Sequence, residues 1–283
     1  MLLKEKENIA DDLRKILDDN SSGLGSAGLG TGTASPVLNI STGSLSDLIT
    51  NMRDGEIFSY VNSLLEIIGP VIDQNGGRLV GVESDSGFTA VFSDCGSALK
   101  SAVTMCQYTA TGRNCDPRFS GLTIGITRGA VYSGNVGYGG YRMPLVISEC
   151  TKFAVFLRSV TEKYNSRILI SENVADGIPD FFGGYNSRRL GKVVSQKKGS
   201  AEFIYDVFDG DGIDVKNAKR RGKLFFETGV KMFLEKKYDA ARSYFIELIK
   251  SYRNDSAAKE YFLLCDKCLS GDEPEGRNYL EIW

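Results

Sequence analysis

Residues 76–92, Gly-Gly-Arg-Leu-Val-Gly-Val-Glu-Ser-Asp-Ser-Gly-Phe-Thr-Ala-Val-Phe, restrict the fold of this chain more than any other stretch. Asn75-Gly76-Gly77 closes a helical pattern with residues that tolerate positive φ. Residues 78–83 then extend, residues 84–87 turn, and Phe88-Thr89-Ala90-Val91-Phe92 returns as a mostly apolar strand. The spacing therefore predicts a β-hairpin delivered by a helix. Asp85 at its tip can serve turn geometry or hold a metal, and the turn reading suffices for the hairpin alone.

The flanks repeat the alternation of helix and strand. Ile57, Val61, Leu64, Leu65, Ile68, Val71 and Ile72 recur at helical spacing and predict one long helix with a wide buried face. Ala98, Leu99, Ala102, Val103 and Cys106 predict a second helix, with Asp94 placed to cap it. Strands are predicted at 36–41, 122–126, 130–132, 145–147, 167–171, 189–194 and 202–208, and a helix at 149–164 carries Phe153, Phe156, Leu157 and Val160 on its buried side. Residues 133–140 read as a glycine-rich loop. Such a loop can cradle phosphate, but with no Lys-Ser/Thr following it the ordinary connection is the better reading. The whole is an α+β domain.

Outside that domain the composition changes twice. Residues 5–19 have an apolar stripe of Ile9, Leu13, Ile16 and Leu17, and residues 20–35 are mostly Ser, Gly, Ala and Thr, the composition of a linker. The organisation expected is a helix and linker at 1–35, the α+β domain at 36–208, and an all-helical tail at 215–283. In the tail Gly229, Tyr238, Ala241 and Phe245 sit at tetratricopeptide-like spacing. One such unit cannot form a solenoid, so the tail has to pack on something.

Histidine is absent, which excludes Ser-His and Cys-His catalysis and imidazole metal ligands. Cys265 and Cys268 have metal-like spacing but lack a second pair. A formal charge of −2 with mixed signs along the chain gives no footprint for nucleic acid. No apolar run reaches the roughly 20 residues of a membrane span, so the expected location is cytoplasmic.

The order of parts over residues 36–208 resembles the class III adenylate/guanylate cyclase homology domain, a ferredoxin-like α+β fold. The resemblance rests on Gly76-Gly77 with Ala90-Val91-Phe92, on Gly125-Ile126-Thr127-Arg128-Gly129 with Gly134-Asn135-Val136-Gly137, and on Arg167-Ile168-Leu169-Ile170-Ser171. The closing Leu190-Gly191-Lys192-Val193 and Ile204-Tyr205-Asp206-Val207 complete it.

The resemblance implies two metal-binding carboxylates. Asp85 matches the second, in a hairpin one residue longer than the family pattern, so that a longer tip or a bulge near Gly81 or Gly87 has to absorb the extra residue. Asn39 stands at the first, where a neutral amide is a poor ligand for a hard divalent cation, and Asp47 falls on a helical pattern. Lys152 and Phe156 occupy the places of the ribose-orienting Asn and the charge-stabilising Arg, and Gly81 and Leu145 those of the base-reading residues. Lys197 or Lys198 falls near the phosphate-contacting lysine. The implied reading is a catalytically inactive cyclase homologue, a regulatory or scaffold module in cyclic-nucleotide signalling with no cofactor expected. It would homodimerise or pair with another cyclase domain, and bind a protein partner through its tail. The alternative is an active adenylate or guanylate cyclase, a phosphorus-oxygen lyase using Mg or Mn.

Overall fold

The computed structural model describes residues 33–42, 52–83, 87–110, 117–138, 141–196, 199–272 and 277–282. The readings that concern the N-terminal helix, most of the linker, Asp47, Asp85, Lys197 and Lys198 lie outside these residues.

Strand β1 (Thr33–Ser41) leads to helix α1 (Asp54–Gln74), the hairpin β2 (Arg78–Glu83) and β3 (Gly87–Val91), and helix α2 (Cys95–Ala110). The long strand β4 (Thr123–Tyr138) folds back on β5 (Tyr141–Ile147), and α3 (Glu149–Ser159) and β6 (Ile168–Ser171) follow. Short helices α4 (Glu172–Ala175) and α5 (Phe181–Gly184) precede β7 (Ser187–Val194) and β8 (Ala201–Val207). The tail consists of α6 (Ile213–Leu234), α7 (Tyr238–Ser251) and α8 (Ser256–Ser270), and ends in a short strand β9 (Glu281–Ile282). The sheet order is β2-β3-β1-β4-β6-β8-β7-β9, with β5 paired to the outer half of β4.

One face of this sheet is covered by α1 and α2. Tyr60, Leu64, Ile68 and Ile72, four residues apart along α1, are buried with Leu99, Ala102 and Met105 of α2 against Leu38, Ile40, Phe88, Ala90, Ile124 and Ile126. Each large side chain buried in this way contributes about 1.5–3 kcal/mol. Asp94 caps α2 as its position suggests, accepting from Ser97 N at 2.8 Å.

The opposite face is shared. Helix α3 lies over β1 and β4, while the tail covers β6, β8 and β7, so that Leu169, Leu190, Val193 and Ile204 of the sheet share a core with Phe226, Phe233, Phe245, Tyr261 and Leu264. The helices therefore pack on the α+β domain itself. No helix among the described residues is long and apolar enough to cross a membrane.

Three local expectations are corrected. Residues 133–138 are strand, not loop: β4 and β5 pair from Tyr132↔Ile147 to Tyr138↔Tyr141, so this stretch is an extended ribbon and not a loop folded around a phosphate. The glycine count hid a ribbon in which each residue is held by its partner strand. Strand β1 begins at Thr33, ahead of Pro36, because Thr33, Ala34 and Ser35 pair with Val131, Ala130 and Gly129. Helix α3 stops at Ser159 instead of reaching Tyr164, and Thr161 Oγ1 turns back to donate to Arg158 O at 2.6 Å.

Candidate functional site

Helix, hairpin and sheet converge on one row of residues across the shared face. Pairing sets Gly81 beside Thr89, Thr89 beside Asn39, and Asn39 beside Gly125. The row continues through Leu169 and Asp206 to Arg188. Its register depends on the hairpin's extra residue. Leu79 pairs with Ala90 and Gly81 with Thr89, which leaves Val80 as a bulge and keeps Gly81 in the row.

Asn39 is fully buried. Its Nδ2 donates to Thr89 Oγ1 at 3.2 Å and to Phe88 O at 3.4 Å, and its Oδ1 accepts from Arg158 Nε at 3.2 Å. Both amide hydrogens and one oxygen lone pair are therefore engaged. Arg158 reaches this point because α3 lies tight against β4: a Cβ at Gly125 would stand 2.1 Å from Ala154 O and 2.5 Å from Arg158 N. Ser148 fixes the start of the helix, accepting from Cys150 N at 3.1 Å and donating to Ala130 O at 2.6 Å. Burial lowers the affinity of Arg158 for its proton, and Glu162 partly offsets this. It remains a cation, since guanidinium does not deprotonate in proteins.

The other sequence-derived positions diverge from this point. Lys152 is exposed on α3. Phe156 stacks on Phe153, with ring centres 6.0 Å apart, and packs on the core shared with the tail. Neither makes the contact with Asn39; sequence reasoning missed Arg158, two residues beyond the position it examined. Leu145 pairs with Gly134 at the backbone, away from Asn39. Between β4, β5 and α3 lies a cleft of about 530 Å³ whose lining includes Arg128, Tyr132, Ile147, Glu149 and Glu202. Arg128 Nε donates to Ala34 O at 3.3 Å, and Glu149 and Glu202 share the lining with it.

The far end of the row is charged. Arg188 Nε donates to Asp206 Oδ2 at 3.0 Å, and its two terminal nitrogens donate to Asp255 at 2.6 and 3.1 Å. Lys219 of α6 stands 3.0 Å from Asp206 and 2.8 Å from Asp211. Asp255 also caps α8, accepting from Ala258 N at 3.1 Å. Burial would raise the Asp255 carboxyl, but Arg188 and this capping bond hold it below the usual range. For Asp211 burial prevails: Lys219 attracts it, Asp206 repels it, neither of its oxygens has a well-aligned hydrogen bond, and its pKa is raised. Burial is the larger cause; the attraction of Lys219 and Arg167, opposed by Asp206, does not offset it.

Among the described residues no group of three or more His, Cys, Asp or Glu is arranged to hold a metal. Cys265 and Cys268 are free thiols, and burial pushes Cys265 up to about 12, so it carries no thiolate at neutral pH.

A bacterial light-regulated adenylyl cyclase superposes on this architecture with a TM-score of 0.56 at 14% identity, over 77% of this chain and 68% of that one. The fold is that of a nucleotide cyclase domain. In sequence, this cyclase-like chain is similar to the adenylate cyclase of Anabaena cylindrica, at 32% identity over 170 residues, 55% of this chain and 33% of that protein. It is also similar to the terminal-differentiation-specific adenylate cyclase of Dictyostelium discoideum, at 24% identity over 218 residues, 74% of this chain and 10% of that protein. The chain thus spans a third or less of the length of these relatives. No protein-family model matches it.

Proposed function

We propose that this chain is a cyclase-like signalling module that makes no cyclic nucleotide itself and acts as a regulatory or scaffold subunit in cyclic-nucleotide signalling. The observation that carries the reading is Asn39. At the place where the resemblance calls for a metal carboxylate stands a buried neutral amide whose oxygen already accepts from Arg158. A hard divalent cation is held best by carboxylates, and a neutral amide is a poor substitute; here the Arg158 guanidinium would also repel it. The described residues do not fit the metal. The exposed Lys152 and the packed Phe156 provide no substitute for the ribose-orienting and charge-stabilising pair, whose loss costs on the order of a hundredfold to a thousandfold in rate.

The division at 36–208 and 215–283, the tetratricopeptide-like character of the tail, dimerisation and a protein partner belong to the same proposal. Helix pairs of this kind present grooves to partner segments, and one lies between α6 and α7, lined by Arg221, Phe225, Glu247 and Tyr252. The second reading is an active adenylate or guanylate cyclase using Mg or Mn at Asp85, with Lys197 or Lys198 on the phosphates; both relatives are adenylate cyclases, which favours the adenylate form of it. Purified protein incubated with ATP or GTP and Mn²⁺ separates the two. The expected result is no product, and cyclic nucleotide formation abolished by Asp85→Ala would overturn the proposal.

A further inference from the structure

Beyond α8 the chain returns to the sheet and fills its open edge. Residues 281 and 282 pair in parallel with Val193 and Val194 of β7, and Leu280 N donates to Lys192 O at 2.7 Å. Leu280 is fully buried in the core shared by sheet and tail, over Gly191 and Tyr261. Residue 191 has to lack a side chain, since a Cβ there would stand 2.2 Å from Tyr261 Oη and 2.9 Å from Leu280. Tyr261 in turn donates to Leu190 O at 2.9 Å. The next side chain, Glu281, accepts from both Lys163 and Tyr164, which lie between α3 and β6. Tyr238 of α7 donates to Arg277 O at 2.8 Å.

These are the components by which an extended peptide is recognised at a sheet edge: main-chain bonds for affinity, a pocket for one side chain, and a charged contact for its neighbour. Without the segment, β7 would present unpaired N–H and C=O groups. We infer that the β7 edge, the Leu280 pocket and the Lys163–Tyr164 pair form a peptide-docking site that residues 277–282 occupy in cis. The partner it fits is an extended segment carrying an aliphatic residue followed by Glu or Asp, running parallel to β7 in place of the chain's own. The seated segment is itself the template for that chemistry. The inference deepens the interaction role proposed above and rests on it; the binding assay reads the site whether or not the chain makes cyclic nucleotide.

The test uses the full chain with a protease recognition sequence in place of residues 273–276 and a fluorescent peptide Arg-Asn-Tyr-Leu-Glu-Ile. After cleavage the protein is expected to keep its circular dichroism and to bind the peptide saturably, while the uncut protein does not. Leu→Asp at the position of Leu280 in the peptide is expected to lower affinity at least about tenfold. Lys163→Glu in the protein is expected to weaken the native peptide and to restore binding of one carrying Lys in place of Glu281. Three results would overturn the inference: a folded, cut protein that takes up no peptide, loss of the tail's helical signal on cleavage, or equal binding of native and Asp-substituted peptides.

Discussion

Asn39 and Asp206 lie on the same row of the same sheet face, with β4 and β6 between them, and both are fully buried. At Asn39 the chain holds a neutral side chain and brings one cation, Arg158, against it from α3. At Asp206 it buries three carboxylates and two cations between the sheet and the tail. The difference lies in what covers each half. The tail supplies Lys219 and Asp255 and excludes water, so charge is tolerated where partners surround it. Over β1 and β3 the guanidinium of Arg158 approaches, and among the described residues this half of the row, Gly81, Thr89, Asn39 and Gly125, holds no carboxylate. The charges around Asp206 thus join domain and tail.

The sharpest way to break the comparison is Arg188→Met. It leaves Asp255 buried without its arginine and Asp206 sharing Lys219 with Asp211, and is expected to lower stability by about 3–5 kcal/mol, read from urea midpoints; a loss below about 1 kcal/mol would mean that the network does not hold the tail. Gly125→Ala acts on the other half. The added methyl would collide with the α3 backbone, with an expected loss of about 1–3 kcal/mol and faster amide exchange along α3. Arg158→Met leaves the Asn39 oxygen without its donor, and the expected loss of about 1–3 kcal/mol should be smaller in Asn39→Leu/Arg158→Met, where that oxygen is gone.

Much of the fold was legible because local chemistry and global packing agree. Asn75-Gly76 ends α1, Gly76 has φ +69°, Asp94 caps α2, and the apolar spacing of α1 marks the side it buries. The extra hairpin residue was visible as a count, and its bulge at Val80 follows from keeping Phe88 and Ala90 in the core. The outer half of β4 was not legible, since glycines in a strand look like a loop until the partner strand is present. Lys152 and Phe156 were the right positions to inspect, but the facing of α3 depends on how closely it sits on Gly125, and that closeness turns Arg158 toward Asn39. The burial of Arg188 and Lys219 was not legible either, since nothing local says that sheet and helix will cover them.

The smallest expected effect is in the pH dependence. Asp255 titrates below the usual carboxylate value, so its contribution is present above about pH 4 and is lost as pH falls through its lowered folded value. Asp211 titrates above the usual value, so its contribution is full below about pH 4 and is lost as pH rises through its raised folded value. Stability should therefore rise slightly on acidification from pH 7 and then fall. In Asp211→Asn the rise should vanish while the fall remains, which urea midpoints across pH 3–7 would detect.

The central proposal is that the Asn39 half of the row, with a neutral amide and a guanidinium, holds no working metal site, and Mn²⁺ titration calorimetry at low ionic strength tests it most directly. The account predicts binding in the millimolar range or weaker for the wild type and stronger binding for Asn39→Asp/Arg158→Ala, which restores a carboxylate and removes the guanidinium. Tight binding by the wild type, abolished by Asp85→Asn, would contradict it.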